Sequence, residues 1–310
     1  MHNRFVRTFI LIFWLASMSW LASTRIAPRY FAPSRPDSRA IRPGEKNYPK
    51  KDSWNISWKT KLIGTATIDI DSDELGNGTI RSNVDFEKLP MREISGELLG
   101  SYGMLMKLLP LDRLDKQTHV SVKSVSHFDP FGSLDRIGSS VNIGKLGEVI
   151  RLEARVDDQQ LRVRVYPGAS FSGSADGTKS LFNKSFDLPA DANVTNWLAP
   201  EARFRNLAVG QEWESQEYRA FPPNSPYRQI VSKVVGKDIL PWNGEAVPVF
   251  VIEIRDVTGS LTASRADASR MWVDENGEVL KQALQLGTAT LIFERVAPDS
   301  ANEPSRNPVE

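Results

Sequence analysis

The sequence predicts a mainly β, antiparallel domain, and three observations carry that prediction. Apolar and polar residues alternate with a period of two through much of the stretch between residues 53 and 296. The alternating runs are short, and Gly, Pro, Asn and Asp, the residues that turn a chain, lie between them. The main stretch with helical composition is 93–110.

The clearest alternation is EVIRLEARVDDQQLRVRVY, residues 148–166. Ile150, Leu152, Ala154 and Val156 share one parity, and Arg151, Glu153 and Arg155 share the other. A two-residue loop at Asp158-Gln159 would oppose Val156 to Leu161, Ala154 to Val163 and Leu152 to Val165. All the apolar side chains then fall on one face, so turn and pattern agree on a single register. Comparable runs predict strands at 53–59, 62–71, 78–86, 118–128, 137–143, 212–220, 228–236, 246–258, 261–273, 279–287 and 289–295. EISGELLGSYGMLMKLLP, rich in Leu and Met and closed by Pro110, predicts a helix over 93–110, and a shorter helical turn is expected within 197–205.

Ahead of this domain, Arg4 and Arg7 precede the apolar run FILIFWLASMSWLAS, residues 9–23. A short basic lead before an apolar stretch marks residues 1–24 as a signal anchor or a signal peptide. The run lies near the lower limit for spanning, since a helix needs roughly 17–25 apolar residues to cross the hydrocarbon. Cleavage after Ala22 would put Trp20 where a small residue is wanted, so the anchor is favoured over the cleaved signal. An ordinary buried helix is the third reading. Membrane contact is expected through residues 9–23, with the β domain exported; if the segment is cleaved, the chain is secreted.

Residues 25–52 hold five prolines and eight Lys/Arg with no apolar period, which reads as a tether. A polybasic segment for anionic headgroups is the alternative. Residues 53–296 then form one domain, and the polar tail 297–310 is expected to lack fixed structure.

Composition narrows the chemistry. The chain has 310 residues, 40% of them hydrophobic and 25% charged, with a formal net charge of +1. That balance provides a core but no field for nucleic acid, and no nucleic-acid-binding motif is present. Cysteine is absent, which removes disulfides, thiolate nucleophiles and a lipid-modified N-terminal Cys. His119 and His127 fall on the polar parity of one strand, eight residues or about 27 Å apart, too far to ligate one metal. Asp69-x-Asp71-x-Asp73 begins like a calcium loop but lacks glycine at the sixth place and glutamate at the twelfth. Asn55, Asn77, Asn183 and Asn193 each open an N-x-S/T sequon. No cofactor motif is found, and no cofactor, metal or catalytic residue is expected.

MWVDENGEVLKQ, residues 271–282, gathers Asp274, Glu275 and Glu278 around Asn276-Gly277. Asn-Gly is the strongest short hairpin signal, because both central residues of a type I′ turn need φ > 0. That register opposes Val273 to Leu280 and Trp272 to Lys281, and leaves Glu275 and Glu278 in solvent as a tip without chemistry.

WNISWKTKLIGTATIDI near the start of the domain, LAVGQEW at 207–213 and MWVDENGEVLKQALQLGTATLIFER near its end form a series. The series resembles bacterial envelope proteins of the lipoprotein-carrier-like (LolA/LolB-type) half-barrel class, and related uncharacterised envelope β domains. The resemblance implies a single curved antiparallel sheet, a half or open barrel, with one or two helices packed inside. It implies a membrane-tethered, non-catalytic protein that binds a lipid or other apolar ligand, or an envelope protein partner. Candidate lining residues are Leu98, Leu99, Met104, Leu105 and Leu108 on the helix, with Trp54, Trp58, Trp213, Trp242 and Trp272 on the strands. The rival readings are a carboxylate-dependent hydrolase of glycans and a structural assembly component that pairs through a sheet edge.

Overall fold

A computed structural model describes residues 50–89, 118–168, 180–188, 193–194, 203–218, 227–258, 268–286 and 289–297, with Phe13, Trp14, Ser17, Met18, Trp20 and Pro36. The expected helix at 93–110 and most of the apolar run 9–23 lie outside these residues. No helix among the described residues is long and apolar enough to cross a membrane.

The first arm of the sheet is β1 (Lys50–Trp58), β2 (Lys61–Ser72), β3 (Gly78–Leu89), β4 (Thr118–Phe128), β5 (Leu134–Ile143), β6 (Gly147–Asp157), β7 (Gln160–Pro167) and β8 (Phe182–Asp187). The second arm is β9 (Asn193–Val194), β10 (Glu212–Tyr218), β11 (Tyr227–Trp242), β12 (Glu245–Asp256), β13 (Ser269–Asp274), β14 (Val279–Leu286) and β15 (Ala289–Arg295). They form one sheet in the order β8-β7-β6-β5-β4-β3-β2-β1-β15-β14-β13-β12-β11-β10-β9. All pairs are antiparallel except β9–β10. β1–β8 and β10–β15 are each a meander in sequence order, and the arms meet where β1 pairs with β15, Trp54 opposite Arg295 and Trp58 opposite Leu291.

Period-two patterning sorts this sheet into two faces. The face that carries Ile56 is called the inner face here. Register carries it along the first arm through Ala66, Val84, Val122, Val141, Ile150 and onward to Val163 and Val165. Along the second arm it runs through Phe293, Gln282, Met271, Ile252 and Val234. Most of these side chains are buried and belong to one apolar cluster that draws on both arms. Burying each such Val, Ile or Phe is worth roughly 1.5–3 kcal/mol.

The hairpin of β6 and β7 has the predicted register, with Val156 opposite Leu161, Ala154 opposite Val163 and Leu152 opposite Val165. Asp158 and Gln159 both take positive φ, 46° and 61°, as a type I′ turn requires. Elsewhere the structure departs from the pattern. β11 runs on to Trp242, past Gly236 and Pro241, because a bulge between Val234 and Gly236 shifts the register without ending the pairing. β8 and β9 have too little alternation or length to be read from sequence, and they occupy the two ends of the sheet. Arg203, within the expected helical turn 197–205, forms an antiparallel bridge to Glu278, and residues 197–202 of that turn lie outside the described residues. Among the described residues after Lys50, helix is confined to a single 3-10 turn, Gly144–Leu146.

Candidate functional site on the inner face of the sheet

The middle of the sheet, where the arms join, carries the inner-face tryptophans. Trp54, Ile56 and Trp58 alternate along β1, and all three are buried. Ala66 on one side and Phe293 and Leu291 on the other line the same surface. Both indoles keep only 1% and 5% of their surface exposed. Their Nε1 groups have no hydrogen-bond partner among the described residues. A buried donor left without an acceptor costs about 1–3 kcal/mol, so two on one strand are a feature to be accounted for.

Trp213 on β10 falls on the same face, by register through Ser232 and Ile254, and its ring stands 6.3 Å from that of Phe204. Trp272 does not. It opposes Lys281, as expected, but its parity is opposite to that of Met271 and Val273, so it lies on the outer face with the Lys281 ammonium 5.7 Å from its ring. Trp242 stands at the end of the β11–β12 overhang. Its Nε1 donates to the Arg295 carbonyl at 2.8 Å, although three strands separate β11 from β15. The structure thus brings Trp54, Trp58 and Trp213 to one face and leaves Trp242 and Trp272 in other roles. Leu98, Leu99, Met104, Leu105 and Leu108 lie outside the described residues.

Two further features share this face. Ser82, Ser124 and Ser139 stand in register across β3, β4 and β5, and the hydroxyls of Ser82 and Ser124 are 2.7 Å apart. Ser126 is also buried, so small hydroxyls interrupt the apolar lining there.

The second feature is a cluster of charges where β1 begins. Arg295 donates to Glu278 at 2.5 Å and to Asp52. Lys50 also donates to Glu278, and Arg203 approaches it at 3.8 Å. The Arg295 side chain is only 9% exposed, so its charge is stable there because two carboxylates face it. Burial raises the Glu278 pKa, but Lys50 and Arg295 outweigh burial and hold it at about 2. Burial likewise lowers the Arg295 pKa, and Asp52 and Glu278 reverse that and raise it.

This overturns the solvated-tip reading of Glu278. Asn276 does not take positive φ; only Gly277 does, at 81°. Gly277 N donates to the Asp274 carbonyl, and Glu278 N donates to Asp274 Oδ1 at 2.7 Å. A type I turn followed by a left-handed glycine replaces the expected type I′ turn. Val273 therefore opposes Val279 rather than Leu280. Gly277 is also required by its neighbour, because a methyl group there would lie 1.6 Å from the Phe204 carbonyl oxygen.

The histidines keep their predicted parity. His119 Nε2 is 3.8 Å from Asp85, and His127 Nδ1 is 3.3 Å from Thr79 Oγ1. Burial and then Arg136 hold His127 below its ordinary pKa. In the Asp69–Asp73 run, Asp73 spends both carboxylate oxygens on its own turn, accepting from Leu75 N, Asn77 N and Asn77 Nδ2 at 2.8–2.9 Å.

The sequence matches no protein-family model and no curated protein. Among solved structures, the chain is similar to a beta-barrel-like protein of the domain of unknown function DUF1849 from Brucella abortus. That likeness has 10% identity, covers 83% of this chain and 97% of the other, and has a TM-score of 0.48. It is also similar to the hypothetical lipoprotein YmcC from Escherichia coli (K12), at 9% identity over 91% of this chain and 94% of that one, with a TM-score of 0.26. A DUF1089 family protein from Pseudomonas aeruginosa aligns at 14% identity over 76% of this chain and 92% of the other, with a TM-score of 0.31.

Proposed function

We propose that the protein is a non-catalytic, membrane-tethered component of the bacterial cell envelope, and that the inner face of its sheet binds an apolar ligand. The observation that carries the proposal is the pair of buried, unpartnered indole N–H groups of Trp54 and Trp58. They share one face of β1 four residues apart, about 13 Å along the strand. Both donors are covered by the chain itself, so a ligand would reach them by displacing the side chains that cover them. An amphiphile with an apolar body and acceptor oxygens, such as an acylated lipid, that displaced this cover would lie against Ile56, Phe293 and Leu291 and accept from the indoles, pairing donors that the chain leaves unpaired.

The charge cluster does not offer the carboxyl pair that the hydrolase reading needs. Glycoside hydrolysis needs a carboxylic acid that holds its proton near neutrality. Glu278 sits at about 2, and its partner in the cluster, Asp52, is tied to the same guanidinium. On the outer face the buried Glu253 lies between Arg255 and Arg270, 3.6 and 4.0 Å away.

The test is extraction of the full chain in mild detergent, followed by mass spectrometry of whatever co-purifies. A lipid recovered in defined ratio is the expected result. Trp54→Phe and Trp58→Phe keep an aromatic side chain but remove the donor and part of the ring volume, so each is expected to lower lipid occupancy several-fold, with retention of the fold checked by unfolding. Recovery of no lipid across repeated preparations would overturn the proposal.

A further inference from the structure

Three hairpins of the sheet close with the same five-residue turn: Asp73–Asn77, Asp129–Ser133 and Asp274–Glu278. In each, the first residue is Asp and the fourth is a glycine with positive φ, at Gly76, Gly132 and Gly277. Each glycine N–H donates to the carbonyl of the leading Asp, and each Asp N–H donates to the carbonyl of the fifth residue. The Asp carboxylate accepts from the fifth residue's N–H, at 2.8, 2.7 and 2.7 Å. In the first two turns it also accepts from the third residue's N–H, at 2.9 Å in both.

The third residue distinguishes them. It is Asn276 in the turn covered by Phe204, so the geometry does not require an apolar side chain there. In the other two turns it is Leu75 and Phe131, exposed at 78% and 77%. These two tips stand side by side at one end of the sheet, because Gly78 opposes Phe128. A methyl group on Gly76 would lie 3.5 Å from Pro130 Cβ, in ordinary contact. Two hydrogen-bonded turns standing side by side therefore present two apolar side chains to water, with most of the surface of each exposed.

The charges around these tips point to their partner. The segments 71–77 and 129–136 carry Asp71, Asp73, Glu74, Asp129 and Asp135, against the single cation of Arg136. Anionic headgroups would be repelled by this rim, since membrane-surface binding draws on Lys and Arg around the apolar residues. A cationic segment would be attracted, and charge complementarity at a rim selects partners. We propose that the paired tips of the β2–β3 and β4–β5 hairpins form a docking surface for another protein. The partner segment carries an apolar side chain flanked by Lys or Arg.

The probe is a labelled synthetic peptide of alternating Lys and Leu, with a Glu/Leu peptide of the same pattern as control. It is titrated against the full chain in phosphatidylcholine vesicles. The Lys/Leu peptide is expected to bind and the Glu/Leu peptide not to. Leu75→Ser with Phe131→Ser, and separately Asp71→Asn with Glu74→Gln and Asp135→Asn, are each expected to weaken binding at least about tenfold. Asp73 and Asp129 are left intact because they hold the turns. A photoreactive benzophenone side chain in place of Phe131 is expected to cross-link to the Lys/Leu peptide. Equal peptide affinity in wild type and the Leu75/Phe131 variant would overturn the proposal, as would absence of binding. Cross-links to phosphatidylcholine alone would also overturn it, in favour of a lipid surface.

Discussion

The turns at Asp73–Asn77 and Asp274–Glu278 have the same backbone and opposite surroundings. At the first, the aspartate answers only its own turn, and the residues around it face water. At the second, Phe204 covers the glycine and Glu278 holds Lys50 and Arg295. Local sequence decides how the chain turns. What the turn then does is decided by residues outside it, as far away as Lys50, 228 positions from Glu278.

The largest expected effect lies in the covered turn. Arg295→Met would strand Asp52 and Glu278 with too little positive charge, and breaking a buried pair from one side costs about 3–5 kcal/mol. Denaturant unfolding measures it, and a loss under about 1 kcal/mol would show that solvent already screens the cluster.

Glycine substitution compares the two turns directly. Gly277→Ala adds left-handed strain and a collision with the Phe204 carbonyl, for a cost of about 3 kcal/mol or more. Gly76→Ala adds the strain alone, since Pro130 sits at ordinary contact distance, for about 1–2 kcal/mol. Equal melting temperatures in the two variants would refute the contrast.

Acid separates the turns next. The Glu278 pKa is depressed in the fold from 4.5 to about 2, so its contribution is present above about pH 4.5 and is lost as pH falls toward 2. After discounting for partial exposure, that contribution is about 2 kcal/mol. Glu278→Gln is expected to flatten the stability profile in this window, as followed by unfolding at stepped pH.

The smallest effect belongs to the open turn. Asp73→Ala is expected to speed amide hydrogen exchange at Leu75 and Asn77 and leave global unfolding unchanged. A drop in the global transition would mean that the tip contributes to the core.

These contrasts mark what could be read from the sequence. Strands with one wet face, such as β6 and β7, were legible because alternation and turn chemistry give the same register. The inner-face position of Trp54 and Trp58 follows from the same parity, though nothing local reveals that their N–H groups lack acceptors. Trp272 shared the composition of a lining residue, yet its parity put it under Lys281 on the other face. Asn276-Gly277 departs from the type I′ expectation because Asp274 accepts from Glu278 N and stabilises a different turn from the one Asn-Gly favours alone. The ion cluster was illegible, since it joins Lys50 and Asp52 to Glu278 and Arg295 from opposite ends of the domain. β8, with little alternation, gave no signal either.

The pairing of β1 with β15 has a consequence for how the chain could be rewired. Every other antiparallel neighbour in the sheet is also a neighbour in sequence, and the Val296 N–H reaches the Ser53 carbonyl beside that one long-range join. A circular permutant that links the end of β15 to the start of β1 and opens between β8 and β9 would be one uninterrupted meander from β10 to β8, with β9 pairing parallel to β10 ahead of it. Its first and last strands would be the two edges of the sheet.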